Sequence, residues 1–189
     1  MVTKKEGWRK VLHLSLGVLL LAGGWWVLQQ YGQQTLELAL LVLLLVLIVC
    51  DVLVADYNIR LPIYAQLERP HEEACFHTAT LAVLSGLLAF KLFVLPVAIV
   101  GISMFIFGDA AAALVGMRWG KRELGKKSFA GAAAMFAVSA VIGWLMLGWI
   151  GIVMAVVATL AECLVTRIND AVTIPLFAGV VGHALLAWS

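Results

Sequence analysis

Residues 38–51 read Leu38-Ala39-Leu40-Leu41-Val42-Leu43-Leu44-Leu45-Val46-Leu47-Ile48-Val49-Cys50-Asp51, an unbroken apolar run that ends on a carboxylate. With its flanks it forms an apolar segment over 36–57, and a helix that crosses a bilayer needs ~20 mostly apolar residues. On either side of it, six more segments of this kind lie at 11–29, 74–91, 93–115, 129–147, 149–168 and 171–188. The chain has 63% hydrophobic and 13% charged residues and a mean hydropathy of +1.04 over 189 residues, more apolar surface than a soluble domain of this size can bury. The expected fold is an all-α integral membrane protein: a bundle of about seven transmembrane helices forming one domain over 1–189.

Lys4, Lys5, Arg9 and Lys10 before an apolar run also describe a secretory signal. The run from Val11 to Leu28 exceeds the ~7–15 residues of a signal core, and no small-x-small site closes it, so a retained helix is expected. Cys50, Cys75 and Cys163 lack CxxC spacing and lie in apolar segments, which argues against a disulfide framework or a zinc site. The cations fix the topology. Arg60, Arg69, Arg118, Lys121, Arg122, Lys126, Lys127 and Arg167 share a side with the four at the N-terminus, and only Lys91 falls opposite. The positive-inside rule then puts the N-terminus in the cytoplasm and the C-terminus outside.

The same alternation gathers the acids on the cytoplasmic side. Asp51 and Asp56 close the second helix, Glu68, His71, Glu72 and Glu73 lie in the second loop, Asp109 is in the fourth helix and Glu162 in the sixth, and Asn169 and Asp170 open the seventh. Asp51, Asp109 and Glu162 are each expected about six residues inside their helix ends, or ~9 Å at 1.5 Å per residue. With His13 at a comparable level, they are expected to line one polar cavity. Asp109 is the strongest candidate, because an acid inside a lipid-embedded helix is costly and Gly108 with four following alanines permits close approach. His77 and His183, alone on apolar helices, read as satisfied core residues, and the seven Trp as interface anchors.

The connection from Met117 to Ser128 carries five cations and one acid, Glu123. Gly125, Lys126, Lys127 and Ser128 stand directly before a helix, where free N–H groups and the positive end of the dipole favour an anion. Gly120 to Lys126 fits GxxxxGK, but Lys127 occupies the position where a P-loop needs Ser or Thr, and no strand is expected before it. A P-loop nucleotide site is excluded, so nucleotide binding would have to come from a membrane-embedded site.

The chain resembles the CTP-dependent lipid-alcohol kinases: dolichol kinase, phytol kinase and the yeast-type diacylglycerol kinase. The resemblance rests on Arg9-Lys10-x-x-His13, the region from Arg69 to Glu72, and Gly108-Asp109-Ala110 with Gly116 and Gly120. It continues through Lys127-Ser128-x-x-Gly131, Glu162, and Asp170 with Pro175. It implies phosphoryl transfer from CTP to a membrane lipid alcohol, helped by Mg2+. Asp109 and Glu162 would stand near the metal. Arg9, Lys10, Gly108, Gly116, Gly120, Lys121, Lys126, Lys127, Ser128 and Gly131 would surround the nucleotide, and His13 or Asp170 the acceptor hydroxyl. Asp51, Arg69, Glu72 and Asn169 are further candidates. One departure is the order Asn169-Asp170, where relatives carry Asp before Asn. The charge layout agrees independently, since carboxylates hold Mg2+ and cations neutralise a transferring phosphoryl group.

A CDP-alcohol phosphotransferase is excluded by the absence of DGxxAR followed by GxxxDxxxD. A phosphatidate cytidylyltransferase making a CDP-lipid from CTP, and a small transporter with a charged vestibule, stay open as alternatives. Against the transporter, no internal repeat and no Gly/Pro-broken central helix is evident. The acceptor that the resemblance implies is an isoprenoid alcohol of the dolichol, polyprenol, phytol or geranylgeraniol type, or diacylglycerol; no nucleic-acid partner is expected. The expected location is the cell membrane of a prokaryote, or the endoplasmic reticulum or plastid membrane of a eukaryote, with the active site facing the cytoplasm.

Overall fold

The computed structural model describes residues 4–57, 77–120, 123–124, 127–165 and 168–189, the side chains of 4–10, 123, 124 and 127 excepted. These contain seven helices: α1 (Lys4–Tyr31), α2 (Gln33–Tyr57), α3 (Thr78–Leu92), α4 (Leu95–Trp119), α5 (Phe129–Leu147), α6 (Trp149–Leu164) and α7 (Asp170–Trp188). Five of them are long and apolar enough to cross a membrane, while α3 and α6 are shorter at 15 and 16 residues. The all-helical bundle expected from the sequence is present. One small addition is a two-residue antiparallel ladder in the connection before α5, pairing Glu123 with Ser128 and Leu124 with Lys127.

The breaks between helices have local causes. Gly32 (φ 82°) ends α1 and Gly148 (φ 59°) ends α5, each in the left-handed region that an L side chain resists. Pro96 sits in the first turn of α4, where its missing N–H costs nothing.

The core is built around α4, α6 and α7, with Val97, Val100, Met104, Met154, Ala155, Ala158, Ile174 and Ala178 essentially inaccessible. Small residues let the backbones meet. Gly143 of α5 and Gly151 of α6 face each other so closely that a Cβ on either would overlap the other's backbone. A Cβ on Gly101 would lie 3.1 Å from the Pro175 carbonyl, which joins α4 to α7. This is the packing expected where lipid supplies no hydrophobic drive between helices. By contrast, α1 and α2 present Leu19, Leu20, Leu38, Val42, Leu45 and Val49 outward. Trp25, Trp26, Trp119, Trp144, Trp149 and Trp188 are exposed near helix ends, the distribution of interface anchors.

Two irregularities shape the interior. Residues Met104–Gly108 of α4 form a π-helical turn directly before Asp109. Pro175 lies inside α7 and has no N–H to offer the carbonyl of Ala171 four residues earlier. That carbonyl instead accepts from Ser85 Oγ of α3 at 2.6 Å. An interior proline thereby becomes a contact between helices, as lipid-embedded backbone requires.

Candidate active site

Three carboxylates meet at one end of the bundle. Asp109 of α4, Glu162 of α6 and Asp170 of α7 each offer an oxygen, and these oxygens all lie within 4.8 Å of one another. Asp109 is 6% exposed and Glu162 2%, so this is an interior cluster and not a wet acidic surface. Carboxylates this close repel one another when ionised, and positive charge among or beside them offsets that repulsion. The helix dipoles sharpen the point. Asp170 occupies the first position of α7, where an anion is favoured, but Glu162 sits in the last turn of α6, where it is not. Oxygen ligands in this arrangement suit a hard divalent cation such as Mg2+.

Equal depth along the helices, expected from the sequence, is not what brings these acids together. Glu162 is two residues from the end of α6, because the helix stops at Leu164 and not near 168, whereas Asp109 is ten residues from the end of α4. The acids converge because the bundle end is stepped. The starts of α3 and α7 lie level, joined by Asn169 Nδ2 donating to Thr78 Oγ1 at 3.2 Å. From the level of Asp109, α4 continues ~15 Å further at 1.5 Å per residue. The end of α4 therefore extends past the carboxylates.

This end of α4 is tied tightly to α5. Ser128 caps α5, its Oγ accepting from the Gly131 amide at 3.1 Å. A Cβ on Gly116 would lie 2.8 Å from Ser128 Oγ, and one on Gly131 2.8 Å from the Ala112 carbonyl. A Cβ on Gly108 would lie 2.8 Å from Ser139 Oγ. Gly108, Gly116, Gly120 and Gly131, read from the sequence as nucleotide contacts, thus have a packing role between α4 and α5. Ser128 spends its oxygen on the cap, and one amide of this helix N-terminus is already used.

The remaining candidates divide. His13 of α1 packs edge-on against Phe105, with ring centroids 5.4 Å apart, one turn of α4 before Asp109. Asp51 is 1% exposed and stands apart from the cluster. It accepts from Thr80 Oγ1 at 2.7 Å and from the His77 backbone N–H at 3.2 Å, and pairs with His77 Nδ1 at 3.0 Å. It fastens α2 to the start of α3. His183 accepts from the Val94 N–H at 3.3 Å, so both lone histidines have bonds that hold the structure. Asn169 caps α7, accepting from the Ala171 N–H at 3.0 Å, which accounts for an amide directly before the acid. The resemblance implied His13 or Asp170 near the acceptor hydroxyl; in the structure an Asp170 oxygen lies within 4.8 Å of oxygens of Asp109 and Glu162. Arg69, Glu72, Lys121 and Lys126 lie outside the described residues, as do the side chains of Arg9, Lys10 and Lys127.

Among curated proteins, the chain is 29% identical to a phytol kinase of Synechocystis sp. over 96% of this chain and 78% of that protein. It is 33% identical over 102 residues to a Triticum aestivum protein named "Probable phytol kinase, chloroplastic", covering 43% of this chain and 34% of that protein. No family model and no solved structure matches.

Proposed function

We propose, from similarity over nearly its whole length to a phytol kinase, that the chain is a lipid-alcohol kinase transferring the γ-phosphate of CTP to the hydroxyl of a membrane-resident isoprenoid alcohol of the phytol type. The observation that carries this reading is the meeting of Asp109, Glu162 and Asp170 inside the apolar bundle. In this reading the three hold Mg2+, which supplies charge neutralisation on the nucleotide phosphates. The acceptor oxygen forms the new bond to the γ-phosphorus, the bond from that phosphorus to its bridging oxygen breaks, and CDP leaves with the electron pair. The hydroxyl proton passes to a base. His13 would take this part, since Asp170 lies with the other two acids and the imidazole packs on Phe105, four residues before Asp109 on α4. Arg9, Lys10, Lys121, Lys126 and Lys127 would neutralise the triphosphate. The alcohol head would reach the carboxylates from the bilayer, with its apolar tail in the lipid. The alternation of the apolar segments along the sequence assigns twelve of the thirteen cations to one side, which supports a cytoplasmic orientation.

The test is phosphate transfer from γ-labelled CTP or ATP, with Mg2+, to phytol, geranylgeraniol, a polyprenol and diacylglycerol, using purified protein in detergent. A labelled isoprenoid phosphate made from CTP is expected. Asp109→Asn is expected to reduce its formation on the order of 100-fold or more, the usual scale for losing one electrostatic element of a site. Pyrophosphate and a CDP-lipid formed from phosphatidate, with no labelled alcohol, would replace the kinase by a cytidylyltransferase.

A further inference from the structure

Hydroxyls in an apolar bundle need partners, and most here have them. Ser15, Thr35 and Thr159 donate to the carbonyls of Val11, Tyr31 and Ala155, four residues earlier, at 2.9, 3.0 and 2.8 Å. Thr80 and Ser85 donate across helices. Thr173 does neither. It is 1% exposed, and its Oγ1 has no hydrogen-bond partner among the described residues.

The location of this hydroxyl is informative. Thr173 lies three residues after Asp170 on α7, which puts the two on one helix face. Helical side chains lean toward the N-terminus, so the Thr173 side chain overlies the turn that carries Asp170. Ser139 Oγ is also buried without a partner, but it fills the notch opposite Gly108, against backbone. A buried hydroxyl left unbonded costs about 1–3 kcal/mol. Valine would have nearly the same shape without that cost. Beside three clustered carboxylates, the missing partner is water held on a cation, since Mg2+ keeps several waters when it binds.

We propose that Thr173 is a positioning residue of the ion site: its hydroxyl hydrogen-bonds a water on the divalent cation held by Asp109, Glu162 and Asp170. The proposal rests on the metal reading of that cluster. Groups that orient a metal's shell without touching the metal typically change its affinity about 10- to 100-fold when removed.

The test uses the full chain purified in detergent, without nucleotide. Mn2+ binding is followed by the loss of the free-ion paramagnetic resonance signal, alongside thermal unfolding without metal. Wild type and Thr173→Ser are expected to bind alike. Thr173→Val is expected to bind Mn2+ at least about 10-fold more weakly and to unfold, without metal, at or above the wild-type temperature. Wild-type affinity in Thr173→Val would overturn the proposal and leave the carboxylate site standing. A Thr173→Val chain that fails to fold, or unfolds lower without metal, would also overturn it, because the hydroxyl would then have its partner inside the protein. If wild type itself takes up no Mn2+, the cation site and the proposal fall together.

Discussion

Among single residues, four acids of similar chemistry meet different fates. Asp109, Glu162 and Asp170 converge, while Asp51, at a level that looked equivalent in sequence, is consumed by Thr80 and His77. Position along a helix is legible in a sequence, but the face an acid presents depends on which helix lies opposite. Asp51→Asn is therefore expected to cost stability and not chemistry. Losing bonds to a charged acceptor should reduce stability by about 1.5–3 kcal/mol, read as a lower unfolding temperature in detergent. Mn2+ affinity of the folded protein should be unchanged, and a loss of Mn2+ binding would return Asp51 to the site.

Among the helices, two departures from regular geometry shape the bundle. The π turn at Met104–Gly108 inserts extra residue length into α4, and each extra residue rotates the remainder of the helix by ~100°. Without it, the α-helical spacing from the core residues Val97 and Val100 would not carry Asp109 to its observed face. Nothing in the sequence signals this turn. Pro175, in contrast, is plainly visible, but its partner is not: Ser85 lies in a helix far away in the chain. This pairing predicts a non-additive cycle. Ser85→Ala should destabilise by about 1–3 kcal/mol, because the Ala171 carbonyl loses its donor. Pro175→Ala restores a helical N–H to that carbonyl, so in its background Ser85→Ala should cost well under half as much. Equal costs in both backgrounds, measured by thermal unfolding, would show that the Ser85 bond does not depend on the proline.

Taken whole, the bundle has two unlike ends. One carries the three carboxylates, and the other a clasp in which Lys91 pairs with Glu37, and Gln33 Nε2 donates to Glu37 at 2.9 Å and to the Phe90 carbonyl at 3.1 Å. The side-chain end of Lys91 is exposed there. With the carboxylates toward the cytoplasm, a cysteine at Lys91 in a cysteine-free background should react with a membrane-impermeant maleimide in intact cells. One at Arg118 should react only after permeabilisation. The reverse pattern would invert the topology and put the carboxylates toward the outside of the cell.

The class of molecule, the seven helices of the described residues and most of their limits were legible in the sequence, because each depends on local composition and on the thickness of a bilayer. Asp109 and Glu162 could likewise be marked there as acids too costly to be accidental in lipid. Packing between helices settled the rest: that Asp170 joins them, that Asp51 and Asn169 hold helices in place, that the conspicuous glycines are contact points between α4 and α5, and that the Thr173 hydroxyl is buried without a hydrogen bond among the described residues. Those outcomes depend on where α3 and α6 stop, on one π turn and on one interior proline. Each of these changes which faces meet, and that is a property of packed pairs of helices, which no single stretch of chain encodes.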